Sequence, residues 1–181
     1  MNQIIFISGT PCVGKTTVAG VVSNNLNAKL IKINQLAIEN DLVLGIDSEK
    51  GYKIIDIDKL DSLLQDIIDN LDSDKLLVVE GHLSHLCSNA DKVIILRLHP
   101  NVLEKRLASR NYSESKIREN LEAEALDVCG QEAYETYFDK VNEIDVTNLA
   151  IDEVAMLIED VIFNQKSTSF GEIDFMDWLI N

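Results

Sequence analysis

The sequence predicts an α/β fold in which helices flank a parallel β-sheet. Short apolar runs alternate with segments of helical periodicity along the chain, which is the pattern of consecutive βαβ units. The first apolar run is followed at once by a glycine-rich turn and a helical segment. A chain of 181 residues is long enough for one sizeable core and short for two. We therefore expect residues 1–181 to form a single α/β domain.

Five apolar runs are expected to form the strands of the sheet, at residues 4–8, 30–33, 76–79, 93–96 and 143–146. Apolar side chains at helical spacing predict helices over residues 58–71, with Asp58 as N-cap, and 151–162. These stripes are typical of core packing. A short amphipathic helix is expected within residues 171–180, beyond a linker-like stretch at 164–170.

The glycine-rich turn carries the phosphate-binding pattern Gly-x-x-x-x-Gly-Lys-[Ser/Thr] as Gly9-Thr10-Pro11-Cys12-Val13-Gly14-Lys15-Thr16. Between a strand and a helix, the backbone N–H groups of such a loop can wrap a polyphosphate. Lys15 is placed to reach the β- and γ-phosphates, Thr16 to ligate Mg²⁺, and Thr17 to meet the α-phosphate. A chance glycine turn is the alternative, but the full motif after a strand favours a nucleoside triphosphate site.

A second candidate site is the end of the third strand, which reads Leu77-Val78-Val79-Glu80-Gly81-His82. A carboxylate there can hold Mg²⁺ through water, as a Walker B acid does, or orient an attacking water, so Glu80 is the expected acid. His82 could bond a phosphate oxygen or position a nucleophile, and a structural hydrogen bond is the alternative. His85 and His99 are expected to be structural.

A basic cluster stands out in an otherwise acidic chain, comprising Arg106, Arg110, Lys116 and Arg118. Cations near a triphosphate stabilise the charge on the transferring phosphoryl oxygens, and a mobile segment can deliver them when substrate binds. The alternative is a helix whose arginines pair at its surface with Glu104, Glu114 and Glu122.

The overall charge restricts the classes of molecule that the protein is expected to bind. A net charge of −15, from 31 acidic and 16 basic residues, argues against a nucleic-acid surface or an anionic membrane. It suits a basic protein partner, although most such charge is a solvated surface. Cys12, Cys87 and Cys129 lack a paired metal-ligand spacing and indicate reduced thiols. We therefore expect a cytoplasmic protein without a leader or a membrane span.

Three segments together indicate a family: Gly-Thr-Pro-Cys-Val-Gly-Lys-Thr-Thr near the start, Val-Glu-Gly-His after the third strand, and Arg-Leu-Ala-Ser-Arg-Asn-Tyr-Ser-Glu-Ser-Lys at 106–116, followed by Ile-Arg-Glu-Asn-Leu-Glu-Ala-Glu. Over residues 4–162 the chain resembles the small adenylate kinases of archaeal and nuclear type. The resemblance implies a P-loop NTPase fold of nucleoside monophosphate kinase type, with sheet order 2-3-1-4-5. It also implies a monophosphate-binding segment at 32–55 and a lid at 109–119, which leaves a C-terminal tail at 165–181.

The same resemblance implies an activity, cofactors and partners. The family transfers the γ-phosphoryl group of ATP to AMP with Mg²⁺ and broad nucleotide use, and has a slower ATPase activity. Its members associate with a platform protein of the small ribosomal subunit and act in maturation of that subunit's RNA. Carried over by position, the ATP contacts are Cys12, Gly14, Lys15, Thr16, Thr17 and Arg110, the Walker B acid is Glu80, and the catalytic histidine is His82.

Two departures concern the acceptor side. Where the family can carry an aspartate and an arginine, this chain has Gln35 and Ile38, so the monophosphate segment lacks an evident cation for the acceptor phosphate. Arg97 and Arg106 are candidates for that role. We expect an adenylate kinase, with an ATP-switched ribosome-assembly factor or another small-metabolite kinase as alternatives. A regulatory GTPase is disfavoured because no Asn-Lys-x-Asp signature follows the fourth strand.

Overall fold

A parallel five-stranded sheet forms the centre of the protein, of which a computed structural model describes residues 2–47, 51–110 and 112–180. The strands are β1 (Gln3–Ser8), β2 (Lys29–Lys32), β3 (Val43–Ile46), β4 (Lys53–Ile55), β5 (Leu76–Glu80), β6 (Lys92–Arg97) and β7 (Val141–Asp145). The central sheet has the order β2-β5-β1-β6-β7, and β3 pairs with β4 in a separate antiparallel hairpin. Counting only the main strands, this is the order 2-3-1-4-5, so the predicted fold class is confirmed.

Helices cover both faces of the sheet. They are α1 (Lys15–Asn25), α2 (Ile33–Glu39), α3 (Ile57–Asp69), α4 (Pro100–Ala108), α5 (Glu114–Ala125), α6 (Val128–Tyr137), α7 (Ile151–Ile162) and α8 (Asp177–Ile180). Because side chains alternate along a strand, Ile5 and Ile7 of β1 join the core beneath α1, α4 and α7, while Ile4 and Phe6 join the core beneath α3 and α6. Strands buried on both faces are typical of a parallel sheet.

Two helix predictions have different outcomes. The helix predicted at 151–162 is confirmed by α7. The predicted N-cap of α3 is wrong, since Asp56 and not Asp58 accepts the hydrogen bond from the Lys59 backbone N–H. Asp56 has the extended backbone that a capping residue needs, while Asp58 lies within the first turn, where its charge still favours the helix dipole.

Most of the C-terminal tail has no regular secondary structure, and the short helix expected within residues 171–180 is limited to α8 (Asp177–Ile180). The protein core binds the backbone of the preceding residues instead. Glu143 Oε2 accepts from the Gly171 N–H at 2.8 Å, and Arg97 Nη1 donates to the Ile173 carbonyl at 3.4 Å. Trp178 then donates from Nε1 to Asn101 Oδ1 at 2.8 Å, which docks α8 beside α4.

Two segments project over the carboxyl edge of the sheet. Residues 32–55 contain α2 and the β3–β4 hairpin, with residues 48–50 outside the description. Residues 109–119 comprise a turn and the start of α5, and residue 111 is likewise outside the described residues, as are the chain ends 1 and 181. Within the described ranges, none of the helices has the length and apolarity needed to cross a membrane.

Candidate active site

The glycine-rich turn joins the end of β1 to the start of α1 at the carboxyl edge of the sheet. Cys12 and Gly14 adopt left-handed backbone conformations, with φ of 71° and 117°, of the kind found in turns whose successive N–H groups bind anions. Gly9 also has a positive φ, and a Cβ atom there would lie 2.5 Å from the Leu96 carbonyl oxygen. The loop therefore has the shape that cradles phosphate.

Lys15 is buried at the centre of this loop. Its Nζ donates to the carbonyl oxygens of Gly9 and Thr10 at 2.7 and 2.8 Å, which folds the side chain against the loop. Burial lowers the pKa of Lys15, because the charged ammonium has lost much of its hydration. An incoming anion would therefore find a poorly solvated cation at the floor of the site.

Thr16 and Glu80 come together from different elements. Thr16 is the second residue of α1, and Glu80 is the last residue of β5. The Thr16 hydroxyl lies 3.1 Å from each carboxylate oxygen of Glu80. Gly81 lets β5 end close to α2, since a Cβ atom there would lie 2.5 Å from Ile33 Cγ2. A hydroxyl and a carboxylate are oxygen ligands of the kind that Mg²⁺ prefers, so this pair fits a magnesium site.

His82 lies beyond Glu80 and faces α2. Its Nδ1 lies 2.9 Å from the Asn34 side-chain amide, a hydrogen bond that holds the ring against α2. Burial, reinforced by the charge of Lys15, lowers the pKa of His82 to about 4. The imidazole is therefore neutral at neutral pH, and its second ring nitrogen remains available for a hydrogen bond.

The four residues of the basic cluster have separate positions. Arg106 Nη1 donates to the Val13 carbonyl at 3.0 Å and supports the phosphate loop, whereas Arg110 is exposed above it. Lys116 lies in the first turn of α5, with Nζ above the rings of Tyr52 and Tyr112. Arg118 pairs with Glu122 at 2.8 Å on the exposed side of α5, so the surface-pair alternative applies to that residue.

Two adjoining cavities lie at this edge of the sheet. The smaller, of about 330 Å³, is lined by Cys12, Gly14, Lys15, Thr16, Thr17, Arg106, Ser109 and Arg110, which include every residue predicted to contact ATP. The larger, of about 690 Å³, extends past Glu80 and His82 to Asn34, Tyr52, Tyr112 and Lys116. Cys12, Lys15, Thr16 and Arg110 line both cavities and mark their junction.

The hypothesis that Arg97 binds the acceptor phosphate is wrong. Arg97 is only 1% exposed and lies in a separate charge cluster, where it pairs with Glu124, Asp127 and Glu143 at 3.1, 3.0 and 2.8 Å. Its guanidinium is therefore saturated by protein carboxylates. Glu124 also accepts from the Thr10 hydroxyl, so this cluster supports the phosphate loop from behind.

The two histidines expected to be structural bind protein groups. His85 Nδ1 lies 2.6 Å from Ser8 Oγ and its Nε2 lies 2.9 Å from Glu132 Oε2. His99 caps α4, accepting from the Asn101 N–H at 3.2 Å.

Sequence reasoning missed two aromatic residues of the larger cavity. Tyr112 directly follows the Arg-Asn pair of the predicted lid, so its place in that motif was an available signal. Tyr52 carries no local signal, because it reaches the cavity only through the position of the β3–β4 hairpin.

Known proteins resemble this chain over nearly its whole length. Residues 5–127 match the family described as AAA domain. A protein named "Putative adenylate kinase" from Methanothermobacter thermautotrophicus is 45% identical over 98% of this chain and 99% of its own, and a protein of the same name from Methanosarcina barkeri is 40% identical over 98% of each. The crystal structure of shikimate kinase from Bacteroides thetaiotaomicron shares the fold, with a TM-score of 0.59 at 14% identity over 89% of this chain and 98% of that one. The chain belongs to the archaeal-type adenylate kinase family.

Proposed function

We propose that this protein is a Mg²⁺-dependent adenylate kinase that reversibly transfers the γ-phosphoryl group of ATP to AMP. The observation that carries the proposal is the junction of the two cavities at Lys15, Thr16 and Arg110. A donor triphosphate in the smaller cavity and an acceptor in the larger one would meet there. Direct transfer needs that juxtaposition, because positioning and charge stabilisation supply most of the catalysis of phosphoryl transfer.

On the donor side, the proposed ATP contacts are the loop residues Cys12, Gly14, Lys15, Thr16 and Thr17, with Arg110 above them. Cys12 serves through its backbone N–H, so a side chain there is tolerated. Lys15 would exchange its carbonyl partners at Gly9 and Thr10 for phosphate oxygens, which form stronger charge-assisted bonds. Arg110 is exposed and free to close over the phosphates from the lid at 109–119.

Thr16 and Glu80 would hold Mg²⁺ at the junction, Glu80 through water. Bound there, the ion would neutralise charge on the β- and γ-phosphates. The Thr16 hydroxyl already lies within hydrogen-bond distance of both Glu80 oxygens, so little rearrangement separates this geometry from one in which both face a cation.

On the acceptor side, His82 is proposed as a positioning group. As a neutral imidazole held by Asn34, it would hydrogen-bond a phosphate oxygen or water through its second ring nitrogen without adding charge. Water at the same place would account for a slower ATPase activity. We further propose the segment 32–55 as the acceptor-binding arm and 165–181 as a tail outside the reaction.

The three cysteines are unpaired, which suits the reducing cytoplasm, and we propose that the enzyme is cytoplasmic.

The test is a coupled assay of ADP formation from Mg·ATP with AMP, GMP, CMP or UMP, run against a water-only control. We expect AMP to give the fastest reaction and to exceed the water-only rate at least about 10-fold. The Glu80→Gln variant should lose both the kinase and the water-only reaction, since both need the metal. If no monophosphate raises the rate above the water-only control, the kinase proposal fails.

One observation favours a second function, an ATP-dependent contact with a basic protein of the small ribosomal subunit. A net charge of −15 produces a negative field that attracts a Lys- and Arg-rich partner. We expect such binding to weaken steeply between about 0.05 and 0.5 M salt and to change with ATP and Mg²⁺. Titration with a purified platform protein under these conditions tests this proposal. An affinity that is the same with and without ATP and Mg²⁺ would exclude an ATP-switched role.

A further inference from the structure

The larger cavity needs a cation for an acceptor phosphate, and the monophosphate segment supplies no arginine at position 38, where Ile38 is 46% exposed. The basic side chains that line this cavity are Lys15, Lys32, Arg110 and Lys116. Lys15 and Arg110 also line the donor cavity. Lys32 and Lys116 remain as cations of the larger cavity alone.

These two lysines differ in how they are held. Lys32 is exposed at the end of β2, so water screens its charge and its side chain must be ordered when a ligand binds. Lys116 is half-buried, with Nζ 4.4 Å from the centre of the Tyr52 ring and 4.5 Å from that of Tyr112. Two aromatic faces thus position its ammonium at the cavity wall.

The contacts of Lys116 leave its charge available to an anion. Arg118, two residues further on and on the outer face of α5, pairs with Glu122, whereas Lys116 is held by ring faces. A cation–π contact is weaker than a charge-assisted hydrogen bond to phosphate, so a phosphate can take over the ammonium. The Tyr52 hydroxyl meanwhile donates to Glu119 Oε2 at 3.0 Å, which fixes Tyr52 beside α5.

Tyr52 remains a donor over the working pH range. Burial and the bond to Glu119 raise its pKa to about 12, so the hydroxyl stays protonated. The same contacts join the β3–β4 hairpin to α5 across the mouth of the larger cavity. A phosphate that binds Lys116 would therefore lie between the segment 32–55 and the lid at 109–119.

We propose that Lys116, held between Tyr52 and Tyr112, binds the phosphate of the acceptor nucleoside monophosphate and replaces the arginine that the monophosphate segment lacks. This assignment rests on the proposed kinase function. Lys116 would then contribute to the affinity for the acceptor alone, whereas Arg110 lies at the junction and would act on both nucleotides.

The experiment compares Lys116→Met, Lys116→Arg and the matched surface control Arg118→Met. At saturating Mg·ATP, we expect Lys116→Met to raise the KM for AMP about 10- to 100-fold, while the KM for ATP and the water-only ATPase rate change less than about twofold. Lys116→Arg should restore the KM for AMP to within about fivefold of the original, since arginine also stacks on rings and binds phosphate. Arg118→Met should leave all three quantities unchanged.

Calorimetric titration with AMP and with adenosine separates phosphate recognition from other effects. Lys116→Met should weaken AMP binding about as much as it raises the KM for AMP, and leave adenosine binding unchanged. An unchanged affinity for AMP, or an equal loss for adenosine, would overturn the assignment. Because binding is measured without turnover, the assignment can hold even if the panel assay shows that AMP is not phosphorylated.

Discussion

The strands on either side of β1 both end in a charged residue, and the two charges have opposite surroundings. Glu80 ends β5 and faces Thr16 at the junction of the two cavities. Arg97 ends β6 and is enclosed by Glu124, Asp127 and Glu143, with the tail residue Phe175 over its guanidinium. Both side chains are buried, at 5% and 1% exposure, so burial does not distinguish them.

Glu80 and Arg97 differ in how many protein groups bind their charged side chains. Glu80 has a single hydroxyl partner among the hydrogen bonds of the described residues, and its carboxylate lines a cavity, so it can still ligate a cation. Arg97 is surrounded by the carboxyl groups of three residues and by two carbonyl oxygens, which satisfy its guanidinium. A buried charge with open coordination marks a site, and one that is saturated by protein groups stabilises structure.

The largest expected effect is on catalysis at the phosphate loop. Lys15→Met should lower kcat with AMP by about 10³-fold, because it removes the cation that meets the transferring phosphoryl group. The fold should persist, since the lost contacts are two bonds to loop carbonyls. Steady-state kinetics and thermal unfolding measure both quantities.

Lys105→Met is a suitable control for this variant, because Lys105 is exposed on α4 and lines neither cavity of the site. A folded Lys15→Met protein with undiminished turnover would contradict the phosphate-loop assignment.

The opposite result is expected in the saturated cluster. Arg97→Met should lower the free energy of unfolding by about 3–5 kcal/mol, because it leaves the buried carboxylates of Glu124 and Glu143 without their cation. Chemical denaturation measures the loss. Turnover per folded molecule should fall much less than in Lys15→Met, and a stable variant with abolished turnover would place Arg97 in the reaction after all.

A substitution of Arg110 tests the other side of the comparison, because this arginine lines the cavities and Arg97 does not. Arg110→Ala should lower kcat/KM with AMP by about 10²-fold, the usual consequence of losing one group that stabilises transition-state charge. Its free energy of unfolding should change by less than about 0.5 kcal/mol, since Arg110 is exposed. Similar losses of stability in Arg110→Ala and Arg97→Met would remove the contrast between the two regions.

The last prediction concerns a pH dependence of stability from Asp127. Burial, with a further contribution from its hydrogen bond to Glu143, raises the pKa of Asp127 to about 8 despite the attraction of Arg97. In the unfolded chain this carboxyl titrates near its ordinary value of 3.8. Between these values the folded protein holds a proton that the unfolded chain has released, so stability should fall as pH rises from about 4 to about 8.

Asp127→Asn isolates this contribution, because asparagine tolerates the left-handed backbone at this position, where φ is 53°. Relative to the original protein, the variant should gain stability as pH increases over that range, as measured by urea unfolding at pH 5, 6.5 and 8. Parallel pH profiles for the two proteins would show that Asp127 is ionised in the fold.

Local sequence was sufficient to predict the sheet and the phosphate loop. The three central strands β1, β5 and β6 are apolar runs buried on both faces, and the loop requires glycines at fixed spacing, so both signals lie within a few adjacent residues. The tail was predicted incorrectly for the same reason. Its apolar spacing suggests a helix over more of its length, but Glu143 and Arg97, which are distant in sequence, bind backbone groups of Gly171 and Ile173 in the part that is not helical.

The sequence by itself determined the α/β class, the order of its elements and the residues that can carry phosphate chemistry, because these follow from hydrophobic periodicity and from one contiguous motif. Only the tertiary structure decided which cations are available. It buried Arg97 among carboxylates, paired Arg118 at the surface and placed Lys116 between two rings beside a cavity. The physical reason is that the effect of a charge depends on the groups around it in space, and those groups come from strands, helices and a hairpin far apart in the chain.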